Sequence, residues 1–237
     1  MAIVINGSGT VTGLSVGGLP DGTVDAGTLA TNSVDSAELI DGAVDDSHMA
    51  SISGRKNMVI NGAMQVAQRG TSVTGIDTDS SATETYRTVD RFIFGGNDAG
   101  VWTMTQDSDS PVGFGSSMKL DCTTAKSSLD AGSYLYILNR IEAQDLQQLG
   151  YGTSSPQAVT LSFWVKSPKT GIHNLEIQHV DGGVYNIYQY TIASANTWQN
   201  VSFTFDGYQT TAIANDNTAG LVIVWWLIGG TTFSGGS

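Results

Sequence analysis

A period of ten residues runs through the N-terminal part of the chain. Val24-Asp25, Val34-Asp35 and Val44-Asp45 recur at that interval, and Leu29, Leu39 or Met49 stands five residues after each Val. Ala30, Ile40 and Ala50 follow in turn. A fixed period of this kind is the signature of a stacked or shaft-like architecture. Asp after Val suits a helix N-cap, and Asp35 with Glu38 has the spacing of a capping box. Gly22 and Gly42, each after an Asp, mark turns between units. Each unit therefore reads as an extended piece followed by one helical turn. Burying one Val and one Leu contributes about 1.5–3 kcal/mol apiece, whereas ordering the backbone costs about 1–2 kcal/mol for every residue fixed. A single unit cannot hold its own shape. Residues 1–54 are then either a solvated tether or a stalk wound from several copies of the chain. The regular apolar spacing favours the stalk, with Val24, Leu29, Val34, Leu39, Val44 and Met49 as the contacts between subunits.

The same stretch has no Lys, no Arg and no aromatic residue, and its six Asp and one Glu supply over half of the formal net charge of −12. An acidic chain cannot displace counterions from phosphates, so nucleic acid is not an expected partner. An anionic membrane surface would repel it as well. The longest apolar run, Leu221 to Ile228, is eight residues, too short to span a bilayer. The opening Met-Ala-Ile-Val-Ile-Asn-Gly has neither a basic segment nor a long apolar run, so the expectation is a chain made and kept in a cytoplasm until release. The single Cys122 excludes an intrachain disulfide; its place after Met118 and Leu120 predicts a thiol packed on the same strand face.

Beyond residue 54 the texture changes to short alternating segments separated by turn residues. Phe92–Phe94, Val101–Met104, Met118–Cys122, Thr160–Lys166, Asn174–Val180, Val184–Ile192, Val201–Phe205 and Leu221–Ile228 read as about eight strands. Ile141–Leu149 reads as a helical segment or a loop turn. Val201–Phe205 alternates cleanly, so one of its faces is wet. Leu221–Ile228 is apolar on both faces and belongs between two layers or at a subunit contact. The expected fold is mainly β: an extended oligomeric repeat stalk over 1–54, a connecting segment with a first strand over 55–90, and an antiparallel β-sandwich over 91–237.

The stretch Gly54-Arg-Lys-Asn-Met-Val-Ile-Asn-Gly-Ala-Met-Gln-Val-Ala-Gln-Arg-Gly70, followed by Tyr86-Arg-Thr-Val-Asp-Arg-Phe92, resembles the opening of a family of tail-fibre and virion proteins from marine and cyanobacterial phages. Ile5 to Gly22 and the decapeptides resemble the particle-proximal segments of the same proteins. Thr160–Lys166 and Thr197–Phe205 are similar to two strands of jelly-roll carbohydrate-binding modules, which usually close with a strand beyond the equivalent of Leu221–Ile228. Here Gly235-Gly236-Ser237 follows instead, so either later strands are missing or another chain completes the sandwich. The resemblance implies a virion structural protein, a tail fibre or adhesin that attaches to host cell-surface polysaccharide. It implies a homotrimer and other tail or capsid proteins as partners. A purely architectural fibre, decoration protein or tail adaptor is the alternative, and a polysaccharide depolymerase a further one.

The residues offer little for catalysis. His173 and His179 share a strand face about 20 Å apart, and Glu176 points the other way, which rules out a metal site from that segment. No serine has the flanks of a nucleophile elbow, and no Gly-rich loop opens a helix to hold phosphate. Asp107 with Asp109, or Asp77, Asp79 and Glu84, would be the carboxylates of a glycosidase, or of a structural calcium site, but Asp-Ser-Asp-Ser more often builds a turn. No cofactor is expected. Sugar binding needs aromatic faces for C–H stacking and amides for hydroxyls. Asn186, Tyr188 and Tyr190 lie on one face of Val184–Ile192, and an exposed strip of them would be a shallow glycan platform, with Trp102 as an addition. Tyrosines at such spacing also pack cores.

Overall fold

The computed structural model describes residues 57–233 and two short strands near the N-terminus. The chain divides into two units, Met1–Lys56 and Asn57–Ser237. In the first, β1 (Val4–Ile5) pairs antiparallel with β2 (Val11–Thr12). The decapeptide contacts Val24, Leu29, Val34, Leu39, Val44 and Met49 lie outside the described residues.

The second unit is mainly β and antiparallel. Its strands are β3 (Ser72–Asp77), β4 (Thr83–Tyr86), β5 (Phe92–Asn97), β6 (Val101–Asp107), β7 (Ser117–Thr124), β8 (Tyr134–Glu142), β9 (Val159–Val165), β10 (Gly171–His179), β11 (Val184–Ile192), β12 (Gln199–Phe205) and β13 (Ala219–Gly229). Six form one sheet in the order β11-β10-β13-β8-β5-β4; β3-β6-β7 and β12-β9 form two smaller ones. All eight segments read from the sequence coincide with strands, Thr160–Lys166 and Asn174–Val180 each running one residue past the strand end. The segment 55–90, read as a connection with a first strand, supplies two among its described residues, β3 and β4, at sheet edges.

The small sheets cover one face of the large one. Toward β12-β9, Leu175, Ile177, Tyr190, Ile192, Leu221 and Ile223 are buried, with Phe163 and Phe203 packed on them. Toward β3-β6-β7, Phe92, Phe94, Met104, Leu135 and Ile137 are buried. Trp225 packs against both groups and sets its ring 5.7 Å from Phe163 and 6.2 Å from Phe92, centroid to centroid. Along β5 the residues alternate between layers: Phe92 and Phe94 enter this core, while Ile93 and Gly95 face the opposite side.

One sequence expectation is corrected and the bounds of another shift. Cys122 is exposed; Met118 and Leu120 of the same face are partly covered, but Cys122 lies nearer the end of β7, beyond the layer that covers them. The helical segment read at Ile141–Leu149 is present but begins later: Ile141 still belongs to β8, and a 3-10 helix spans Ala143–Leu149, burying Ala143, Leu146 and Leu149.

The two segments that carry the phage-fibre resemblance meet in space. Asn61, at φ 60, uses its amide three ways: it donates to the carbonyls of Val66 and Asp90 and accepts from the Val66 N–H, each at 2.9 Å. Arg69 pairs with Asp90 at 2.9 Å and sets its guanidinium 5.3 Å from the centre of the Tyr86 ring. The left-handed turn at Asn61, a conformation Asn tolerates better than most residues, thereby locks residues 61–70 onto the entry to β5.

His179 is the odd residue of the core. Its ring is 2 % exposed, lies between Tyr151 and Tyr208 at 5.4 and 5.3 Å, and has no hydrogen-bond partner on either nitrogen. Burial lowers its pKa, opposed by the charge of Asp181. A base whose folded pKa is depressed takes up its proton in the unfolded chain first, near pH 6.5. Stability is therefore full above that pH and falls as acid carries the solution down toward the folded pKa. His173 is shifted the same way by burial, so the contribution of His179 has to be isolated by substitution. His179→Phe is expected to flatten the fall of the melting temperature between about pH 7 and pH 5. Parallel melting curves for the two proteins would refute this.

Candidate functional site

The face of the six-stranded sheet turned away from the small sheets is organised by its register. One row across the strands runs Gln189, Asn174, Trp226, Tyr136, Gly95, Glu84, and the next runs Ile187, Glu176, Val224, Leu138, Ile93, Tyr86. Ile93, Leu138, Val222 and Val224 form a buried apolar floor, with Tyr136 and Trp226 packed against it. Above the floor is a groove of about 300 Å³ bordered by Trp226, Tyr136, Glu84, Arg140 and Gln178.

Four aromatic rings gather at one end. Tyr136 meets the Trp226 ring edge-on at 5.3 Å and stacks on Tyr134 at 5.5 Å. Phe233 lies 5.5 Å from both Tyr134 and Trp226. Gly95 makes room for this: a Cβ there would lie 2.2 Å from the Tyr136 ring, so only glycine lets the phenol lie flat across β5.

The polar groups are held as firmly as the rings. Glu84 accepts hydrogen bonds from the Tyr136 hydroxyl and the Arg140 guanidinium, both at 2.5 Å. Burial would raise its pKa, but those two bonds and the Arg140 charge outweigh burial and hold Glu84 below the usual carboxylate range. Burial, then the bond to Glu84, pushes the Tyr136 phenol well above its ordinary value, so it stays a donor. Glu176, 7 % exposed, accepts from the Trp226 indole at 2.7 Å and from Gln178 at 2.8 Å. Each carboxylate oxygen can take more than one donor. The groove thus combines an apolar floor, the Trp226 indole and the oriented Glu84 carboxylate at its border, with the Trp226 N–H held by the buried Glu176. It can stack the C–H face of a sugar ring and accept its hydroxyl protons.

The site residues read from the sequence lie elsewhere. Asn186, Tyr188 and Tyr190 do share a face of β11, but it is the inward one; the outward face carries Tyr185 and Ile187, 64 % and 55 % exposed. Tyr190 is buried, stacked on His173 and edge-on to Phe163, and burial pushes its phenol up to about 12. Asn186 and Tyr188 border a different, open cleft. Trp102 is half-buried against the Phe92–Phe94 cluster, its indole donating to the Ala99 carbonyl at 2.8 Å. The strip therefore does not form an exposed platform, because β12 packs over this face of β11 through Phe203 and Phe205.

The carboxylates weighed for catalysis or calcium are engaged in turns and ion pairs. Asp77 and Asp107 accept from backbone N–H groups two residues on. Asp109 binds Lys166 and accepts from the Trp198 indole at 3.0 Å; these two bonds, Lys166 first, hold it below the usual range. Among the described residues no three His, Cys, Asp or Glu side chains are grouped to hold a metal ion, and no helix is long and apolar enough to cross a membrane.

No protein-family model matches the chain, and no curated protein matches it in sequence. Among solved structures, it is similar to the enzymatically active domain of tailspike protein 4 of bacteriophage CBA120, at TM-score 0.38 and 16% identity. That match covers 72% of this chain and 19% of the tailspike chain, so the chain spans about a fifth of that structure's length. A likeness this distant carries no argument about fold or activity.

Proposed function

We propose that the protein is a tail-associated component of a phage particle, a fibre or adhesin that holds host cell-surface glycan in the Trp226–Tyr136 groove. The observation that carries the reading is the pairing of the Trp226 indole, fixed by its bond to buried Glu176, with the pre-oriented Glu84 carboxylate over an apolar floor. The phage resemblance of residues 5–92 supplies the particle, and the packed antiparallel sheets suit a jelly-roll sandwich. In this reading the decapeptides wind three copies into a stalk that joins the other virion proteins, and threefold repetition turns a weak sugar site into an avid one.

A second reading makes the protein purely architectural. It is favoured by the edge strand β11, whose exposed Tyr185 and Ile187 suit strand-to-strand packing with another chain. Surface plasmon resonance of the intact oligomer over immobilised bacterial surface polysaccharides separates the two. The adhesin reading expects saturable binding to at least one; a flat response across the panel would leave the architectural role. Release of reducing ends from a bound polysaccharide would instead point to a depolymerase.

A further inference from the structure

We propose a second, independent sugar site in the open cleft beside β11, specific for neutral glycan units. The cleft, about 770 Å³, is lined by Asn186, Tyr188, Asp206, Tyr208 and Gln209, together with Pro156. None of those five polar side chains makes a hydrogen bond to a described residue. Several amides elsewhere in the unit, Asn61, Gln106, Asn139, Gln147 and Gln199 among them, are instead committed to backbone carbonyls. Two amides, two phenols and a carboxylate thus converge on one concavity with donors and acceptors unspent, the complement of a polyhydroxylated ring.

The frame around these groups is built in advance. The Gly152 N–H donates to the Tyr208 carbonyl at 2.7 Å. Gly152, at φ 81, leaves 2.5 Å between its Cβ position and the Ala212 nitrogen; Gly207 leaves 2.6 Å to Pro156 Cβ and 2.7 Å to the Gln157 carbonyl. The 150–158 and 206–212 loops therefore touch through backbone at positions where a side chain would force them apart. Tyr188 rests on Phe203 and Phe205, centroids 5.4 and 6.4 Å away, and Tyr208 on buried His179. A site whose walls need no ordering on binding keeps more of its contact energy.

Two features identify the ligand. Asp206 is the one charged side chain lining the cleft, in a protein of net charge −12, so uronates, sialic acids and sulfated sugars are repelled and neutral hexoses are not. Asn186 and Tyr188 lie on the face of β11 opposite Ile187, which belongs to the groove side. The sheet itself separates the two sites, and one ring cannot occupy both.

The test uses the full-length chain and saturation-transfer NMR with neutral gluco-, manno- and galacto-oligosaccharides, beside an oligogalacturonate. In a Trp226→Ala background, which removes the groove's indole, at least one neutral oligosaccharide is expected to bind still. Adding Asn186→Ala and Asp206→Ala, both on half-exposed or exposed residues, is expected to weaken that binding about tenfold or more with the melting temperature unchanged. No binding by Trp226→Ala to any neutral oligosaccharide would overturn the proposal. So would residual binding indifferent to the two cleft substitutions, and equal binding of the galacturonate would overturn the neutral assignment. The groove can fail its own test, no loss on Trp226→Ala, without touching this one.

Discussion

Phe94→Ala is expected to cost about 3–5 kcal/mol of folding stability, the range for emptying a large aromatic site in a well-packed core. Phe94 is fully buried beside Met104, Leu135 and Ile137. Its strand is bonded on both sides, Phe94 facing Thr85 on β4 and Ile137 on β8, so the backbone cannot close over the void. A Cβ at Gly96 would already lie 2.8 Å from Leu135 and Thr78 and 3.4 Å from Phe94. Neighbouring side chains fill that corner, and little slack remains for repacking. Urea unfolding followed by tryptophan fluorescence reports on this unit alone, because all five tryptophans lie beyond residue 100. Val112→Ala, at a residue 98 % exposed, is the control and should stay within about 0.5 kcal/mol of the parent. A Phe94→Ala chain within about 1 kcal/mol of the parent would mean that the core of β5, β6 and β8 is not the close-packed layer described above.

The strands were legible where apolar residues alternate or run unbroken, as in Val201–Phe205 and Leu221–Ile228. Leu221–Val224 is buried on both faces as its composition requires: Leu221 and Ile223 enter the core between sheets, and Val222 and Val224 form the groove floor. The central strand β8 escaped notice because Asn139 and Arg140 interrupt its apolar run. Asn139 is nonetheless buried, its amide donating to the Arg91 carbonyl at 3.0 Å, and Arg140 is spent on Glu84. Both polar residues read as loop signals, and both are satisfied by partners about fifty residues away. The groove was hidden for the same reason. Tyr136 lies on the missed strand, and Trp226 reads as a core residue until the register shows which side it faces. Sequence spacing placed Asn186, Tyr188 and Tyr190 on one face, but alternation alone cannot say which face water sees. Their neighbours Tyr185 and Ile187 are just as apolar, and the choice was made by β12 packing over β11 through Phe203 and Phe205.

Trp226→Ala is expected to weaken binding of the glycan held in the groove by at least about 2 kcal/mol, roughly thirtyfold in Kd. The indole does three things at once. It walls the groove, braces Tyr136 edge-on, and donates to Glu176. Its loss removes the stacking surface and leaves the buried Glu176 carboxylate without its indole donor. Trp226→Phe separates these effects, since it keeps an apolar ring and removes the N–H. If stacking dominates, Phe should recover most of the affinity; if the bond to Glu176 dominates, Phe should bind as poorly as Ala. Trp102→Ala is the contrasting variant. Trp102 packs on the Phe92–Phe94 cluster on the other side of the sheet, so its removal should lower the melting temperature and leave Kd unchanged. Calorimetric titration with whichever polysaccharide the intact chain selects gives both numbers. A Trp226→Ala protein that binds within twofold of the parent, while remaining folded, would move the sugar out of this groove and leave its aromatic wall to serve contacts between subunits.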